Sequence, residues 1–110
     1  MDVLMKNIEK AVPLKLAEEI DYAPGQVISK TLSQRPGAGM TLMAFDEGCA
    51  ISTHAAGGDA LAYVLEGTGE YTIDGVPNQV SAGSCIVMPV GIPHAVKAVT
   101  KFKMLLVVIK

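Results

Sequence analysis

Hydrophobic and polar positions alternate along most of this chain, and from residue 26 onward glycine, proline and aspartate interrupt the alternation at short intervals. A two-residue period with turn signals roughly every 8–12 residues is typical of antiparallel sandwiches and barrels. The pattern predicts strands at residues 27–33, 40–45, 50–54, 61–65, 84–88 and 104–109. Asp74-Gly75, between Ile73 and Val76, predicts a two-residue hairpin turn.

Helical spacing appears only near the N-terminus, where apolar residues recur about every four positions between residues 4 and 20. Pro13 interrupts this spacing, because proline has no N–H to donate within a helix. We therefore expect at most a short helix or turn there. The predicted organisation is a single domain over residues 1–110, with an N-terminal arm (1–25) followed by a barrel (26–109).

Charge and composition argue against several classes of function. The formal net charge is −2 without a basic stripe, so nucleic-acid binding has no electrostatic support. The longest apolar run, residues 104–109, is too short to cross a membrane, and the N-terminus does not resemble a secretory signal. Cys49 and Cys85 form no CxxC pair, which favours two buried, reduced thiols in a cytoplasmic protein.

The chain is rich in hydrophobic residues but poor in aromatic ones, so its core should be aliphatic and filled by methionine. A small domain has much surface for its volume, and some of this apolar content should lie in an interface. We expect a homodimer to which the segment before Gly25 and an edge sheet contribute.

Only two histidines occur, and each is the last residue of a short segment that begins with glycine, called a frame below. His54 closes Gly48-x5-His54, and His94 closes a frame that opens at Gly83. Neutral imidazole is the commonest protein metal ligand and a common acid or base. The pair is therefore the first candidate for chemistry.

The first frame resembles the first conserved motif of the cupin family, which has the form G-x5-H-x-H-x3,4-E-x6-G. Gly48, His54 and Gly67 match this motif. Ala56 stands where the family has its second histidine, and Ala60 stands at the position of the glutamate.

The second frame resembles the second cupin motif, G-x5-P-x-G-x2-H-x3-N. Gly83, Pro89, Gly91 and His94 match, and Ala98 replaces the final asparagine. The resemblance covers about residues 26–109, nearly the whole chain. The resemblance implies an all-β, double-stranded β-helix (jelly-roll) barrel in which the two histidines converge.

The resemblance also implies a metal held by three histidines and a glutamate, of which this chain keeps His54 and His94. A complete site needs three or four ligands, and Asp59 is the only carboxylate near the vacant positions. On a regular strand Asp59 faces away from the side of Ala60, although Gly57-Gly58 could relax that rule. The alternative is that Asp59 is a solvent-exposed residue of the turn after Gly57-Gly58. We predict at most a weak divalent metal site (Ni, Zn, Fe or Mn) on His54, His94 and Asp59, and no organic cofactor.

Alanine at positions 56 and 60 should leave the barrel interior wider and more apolar near the histidines. The predicted lining residues are Met40, Met43, Phe45, Ala56, Ala60, Tyr63, Met88 and Met104. Core packing is the alternative for each of these side chains.

Three functions are compatible with these residues. The favoured one is binding of a small, partly apolar ligand near His54 and His94, without nucleic-acid or membrane partners. The first alternative is a metal-dependent oxygenase or isomerase that uses both histidines and Asp59. The second is metal-free acid–base catalysis by one histidine, for which only Asp46 or Asp59 could serve as the carboxylate partner.

Overall fold

The computed structural model describes residues 3–110, so the first two positions of the predicted arm lie outside the described residues. The strands are β1 Val27–Arg35, β2 Ala38–Phe45, β3 Ala50–His54, β4 Asp59–Glu66, β5 Thr68–Ile73, β6 Val76–Ser81, β7 Cys85–Met88, β8 His94–Ala98 and β9 Phe102–Ile109. A single 3-10 turn, Leu16–Glu18, is the helical element of the described chain.

The strands form two antiparallel sheets that close into a jelly-roll barrel. One sheet has the order β1-β2-β9-β4-β7 and the other the order β3-β8-β5-β6. Neighbouring strands within a sheet are often distant in sequence, which is typical of this topology. The predicted all-β jelly-roll class is confirmed.

The predicted strands are all present, and most of them extend beyond the predicted ends. The hairpin is confirmed, because Ile73 pairs with Val76 across a turn in which Asp74 has φ 50° and Gly75 has φ 81°. Positive φ at both central residues is the geometry that favours Asp-Gly in two-residue hairpins. The prediction missed β8, whose alternation spans only His94–Ala98.

Aromatic side chains fill one end of the space between the sheets. Phe45 and Phe102 stack with ring centroids 4.6 Å apart, and Tyr71 meets Phe102 edge-on. All three side chains are fully buried. Gly69 lies directly against the Phe102 ring, where a larger residue has no space.

The N-terminal arm packs as an irregular segment on the outer face of the larger sheet. Leu16 and Ile20 contact an apolar cluster that includes Leu42. The ammonium group of Lys103 donates to the main-chain carbonyl of Ala17 and lies 4.8 Å from the ring centroid of Tyr22. Tertiary contacts therefore hold this segment where Pro13 prevents a regular helix.

Both cysteines are free thiols, but only one is shielded. Cys49 is partly buried, whereas Cys85 is exposed. The predicted burial of Cys85 was wrong, because its side chain projects from the outer side of the edge strand β7.

Among residues 3–110, no helix has the length and hydrophobicity needed to cross a membrane.

Replacing Gly69 with alanine should destabilise the fold. The added Cβ would lie 2.7 Å from a carbon of the Phe102 ring, which the stack with Phe45 holds in place. We expect a loss of about 1–3 kcal/mol in the free energy of unfolding, as for other overpacked cores. Urea unfolding measures this loss. Gly57→Ala is the matched control, since open space surrounds that position, and equal losses in the two variants would contradict the packing argument.

Candidate functional site

The two histidines face each other across neighbouring strands. His54 ends β3, His94 begins β8, and the two residues are directly paired in the sheet. Their ring centroids lie 4.4 Å apart, with an angle of 67° between the ring planes. His94 is only 3% exposed, whereas His54 is open to solvent. The convergence implied by the two motifs is thus present in the fold.

Main-chain carbonyls fix the tautomer of both rings. The Nδ1 atom of His54 lies 2.9 Å from the carbonyl oxygen of Ser52, and that of His94 lies 3.2 Å from the carbonyl oxygen of Ile92. A carbonyl oxygen can only accept, so Nδ1 carries the proton in each neutral ring. Each Nε2 atom is left with a free lone pair.

The surroundings of His94 favour its neutral form. Burial lowers the pKa of this imidazole, and the nearby His54 ring lowers it further. The hydrogen bond to the Ile92 carbonyl raises the pKa, but by less than burial lowers it. Near neutral pH, His94 is therefore a neutral hydrogen-bond acceptor at Nε2.

The loop between β7 and β8 positions His94, and Asp59 anchors this loop. Asp59 Oδ1 accepts a 2.8 Å hydrogen bond from the main-chain N–H of Val90. The N–H of Gly91, which has φ 73°, donates to the carbonyl of Ala56 at 3.1 Å. Asp59 thus bonds to the loop backbone, and within residues 3–110 it does not complete the three-ligand group with His54 and His94 that the sequence predicted. Its strand alternates regularly, which turns its side chain away from that of Ala60.

A cavity of about 140 Å³ lies beside the histidine pair. Its lining consists of Met43, Ile51, His54, Ala56, Ala60, Met88, His94, Val96, Met104, Leu106 and Val108. The predicted set contributes five apolar members to this wall, namely Met43, Ala56, Ala60, Met88 and Met104. The sequence reasoning missed four lining residues, namely Ile51, Val96, Leu106 and Val108. Two-residue steps from His94 and Met104 would have found the last three.

Three predicted lining residues lie elsewhere. Met40 packs in the cluster beneath the arm, and Tyr63 is 39% exposed on the outer face of the sheet. Met40 lies three positions from Met43, and Tyr63 lies three positions from Ala60, two residues that do line the cavity. Successive side chains on a strand point to opposite faces, so an odd separation places two residues on opposite faces. Phe45 does face inward, but it stacks with Phe102 in the core instead of lining the cavity.

The two carboxylates considered for acid–base catalysis are engaged with main-chain groups. Asp46 accepts hydrogen bonds from the N–H groups of Gly25 and Glu47, and Asp59 accepts one from Val90. The Nδ1 atoms of both histidines likewise bond to the main chain. Neither ring is therefore oriented by a carboxylate at Nδ1, the arrangement that supports many histidine bases.

Comparison with known proteins places this geometry in a family. The family model described as "Cupin domain" matches residues 41–110, which contain both histidine frames. The chain belongs to the cupin family. A search of curated proteins found no match for this cupin.

Solved structures agree with the family assignment. A conserved protein of unknown function from Streptococcus pyogenes is 44% identical, with a TM-score of 0.96, and the match covers 99% of this chain and 96% of that one. A cupin 2 conserved barrel domain protein from Leptotrichia buccalis is also 44% identical, with a TM-score of 0.86, over 88% of this chain and 47% of that one. A cupin superfamily protein from Desulfitobacterium hafniense is 28% identical, with a TM-score of 0.92, over 97% and 98% of the two chains.

The donor set of this cupin does not fit the four-ligand metal site that its family motif implies. The side chains at the second and third ligand positions are the methyl groups of Ala56 and Ala60, which line the cavity. Among residues 3–110, no group of three histidine, cysteine, aspartate or glutamate side chains is close enough to share a metal ion. Two imidazoles without a carboxylate hold a divalent ion poorly.

Lowering the pH should destabilise this cupin through His94. The folded pKa lies below the ordinary value of 6.5, so the unfolded chain takes up the proton at a higher pH than the folded chain. The free energy of unfolding should therefore decrease as the pH falls through 6.5 toward the folded pKa. Urea unfolding between about pH 7.5 and about pH 5.5 tests this, since imidazole is the ordinary side chain that titrates there. His94→Gln should flatten the dependence, and an unchanged slope in this variant would contradict the assignment.

Proposed function

We propose that this cupin binds a small, mostly apolar molecule in the cavity beside His54 and His94, with at most a weak divalent metal site. The main support is the replacement of two ligand positions by Ala56 and Ala60, which supplies apolar space where the family motif has ligands. The cavity of about 140 Å³ is close in size to an apolar protein cavity of about 150 Å³ that holds benzene. A single six-membered ring is therefore a ligand of suitable size.

The distribution of exposure supports access from the histidine side. His54 is exposed and Ala56 is partly exposed, whereas Met88 and Met104 on the cavity wall are almost completely buried. A ligand entering past His54 would place its inner part against the methionines. Their flexible, polarizable thioethers adapt readily to an apolar guest.

Binding is favoured over catalysis because the two enzymatic alternatives lack a required group near the pair. A metal-dependent oxygenase or isomerase needs a third ligand, and Asp59 is bonded to the Val90 N–H. The predicted acid–base mechanism needs a carboxylate partner for the histidine, but main-chain carbonyls occupy that place at both Nδ1 atoms. Within residues 3–110, Ni, Zn, Fe or Mn would meet the two imidazole Nε2 atoms without a third ligand close by.

Filling the cavity should abolish binding. Ala60 is 2% exposed and lines the cavity, so Ala60→Leu places extra carbon atoms in the ligand's space. We expect toluene to shift the amide resonances of cavity residues in the wild-type protein. In Ala60→Leu, toluene should bind about tenfold more weakly, since losing about 1.4 kcal/mol of binding free energy lowers affinity by a factor of ten. Two-dimensional amide NMR measures both effects.

The matched control is Ala82→Leu, an equal change at an exposed turn outside the cavity. This variant should bind toluene like the wild-type protein. Folded wild-type protein that shows no toluene-dependent shifts would contradict the proposed function.

We further propose that two copies associate through the outer face of the larger sheet. Leu61 pairs with Val107 on one side and with Val87 on the other, which places three apolar side chains next to each other. Val87 is 48% exposed, and Tyr63 continues the patch. This apolar patch adjoins the region that the arm covers, and a second copy supplies a surface of the same apolar character.

A charge placed in this patch should prevent association. Analytical ultracentrifugation at micromolar concentration should give twice the chain mass of 11.5 kDa for the wild-type protein and a single chain mass for Val87→Lys. Val76→Lys is the control, because Val76 is 59% exposed but lies on the other sheet. A monomeric wild-type protein would disprove the dimer.

A further inference from the structure

The histidine pair defines the chemical class of the cavity's occupant. We infer that the cavity selects an uncharged molecule of about one ring in size that donates a hydrogen bond to the histidine pair, such as a small phenol. This inference rests on the proposed function, because it names the class of ligand for the same cavity. Three features of the site support it: the fixed tautomers, the apolar remainder of the wall, and an acceptor sulfur that is already engaged.

The fixed tautomers leave the pair with acceptors and no donor. Each neutral ring has one N–H proton, and the carbonyls of Ser52 and Ile92 accept these protons at Nδ1. Two Nε2 lone pairs therefore remain on rings whose centroids are 4.4 Å apart. Two acceptors cannot hydrogen-bond to each other, so the donor that satisfies them has to come with the ligand or with water.

The rest of the wall excludes charged ligands. Apart from the two histidines, the cavity is lined by aliphatic and methionine side chains. A carboxylate or phosphate group would meet two lone pairs and no donor, and it would lose its hydration without compensation. An ammonium group would find acceptors but no counter-charge, which is also costly in an apolar cavity.

Protonation of His94 does not readily restore a donor for an anion. A protonated His94 could donate from Nε2, but this ring is 3% exposed and lies beside His54. Burial and the neighbouring ring both lower the pKa of His94. His94 therefore keeps its Nε2 lone pair near neutral pH and continues to select a donor.

The opposite wall orients the ligand. The sulfur of Met104 accepts a 2.9 Å hydrogen bond from the hydroxyl of the buried Tyr71, so this acceptor is already engaged. The ligand hydroxyl therefore belongs at the histidine end, with its ring toward the methionines. Thioether sulfur atoms pack favourably at the edges of aromatic rings.

Phenol, toluene and benzoate test this inference, because each contains one six-membered aromatic ring. Phenol carries a hydrogen-bond donor, toluene a methyl group and benzoate a negative charge. Binding of each to the full chain is measured near pH 7.5 by two-dimensional amide NMR. Wild-type protein should bind phenol at least as tightly as toluene and should not bind benzoate measurably. An apolar cavity without acceptors would instead prefer toluene, because the phenol hydroxyl would lose its hydration.

Removing the acceptors should change this preference. In His54→Leu, His94→Leu and the double variant, phenol affinity should fall relative to toluene affinity, by about tenfold in the double variant. The loss of one hydrogen bond worth about 1.4 kcal/mol weakens binding by this factor. Retained toluene binding shows that a variant is folded with its cavity intact. Met40→Leu is the control, since Met40 lies outside the cavity, and it should leave the ratio unchanged.

The outcomes separate the inference from the proposed function. Toluene binding with weaker phenol binding, or a phenol-to-toluene ratio that does not depend on the histidines, overturns the inference and leaves the binding function intact. Benzoate as the tightest ligand also overturns it. If folded wild-type protein binds none of the three compounds, the proposed function itself fails.

Discussion

The pairing of β3 with β8 is the constraint on which the rest of this site depends. It brings together two residues that lie forty positions apart in the chain and sets their rings in contact. The pairing is supported from both sides, because β8 also pairs with β5, while Asp59 and Ala56 bind the loop that leads into β8. A shift of one residue in this register would turn His94 to the opposite face of the sheet.

Once the pair is fixed, the neighbouring side chains decide its chemistry. The same two imidazoles with a third histidine and a carboxylate would form a metal centre. Here Ala56 and Ala60 leave space instead of ligands, and main-chain carbonyls hold the Nδ1 protons. The barrel is thus compatible with very different functions, and a few side chains decide among them. In this cupin they leave an apolar cavity beside the two imidazoles.

The two ends of the barrel interior differ in packing. Phe45, Phe102 and Tyr71 fill one region completely, with Gly69 making room for a ring. The region beside the histidines is lined by methionine, aliphatic side chains and alanine, and it retains a cavity. Three of the five aromatic residues thus form a closely packed core in one region, and the cavity remains in the other.

The alternation and turn signals of the sequence determined the all-β class and the hairpin at Asp74-Gly75, because these signals are local and need no knowledge of the neighbouring strands. The resemblance of the two frames to cupin motifs implied the jelly-roll barrel and the convergence of His54 and His94. It also identified Ala56 and Ala60 as the positions where ligands are missing. Only the tertiary structure decided which side chains share the cavity, since Met40 and Tyr63 differ from true lining residues by an odd number of strand positions. It alone decided the role of Asp59, whose partner Val90 lies thirty-one positions away. Contacts between distant segments depend on the register of the strands and on the closure of the barrel. No single stretch of the sequence encodes either of these.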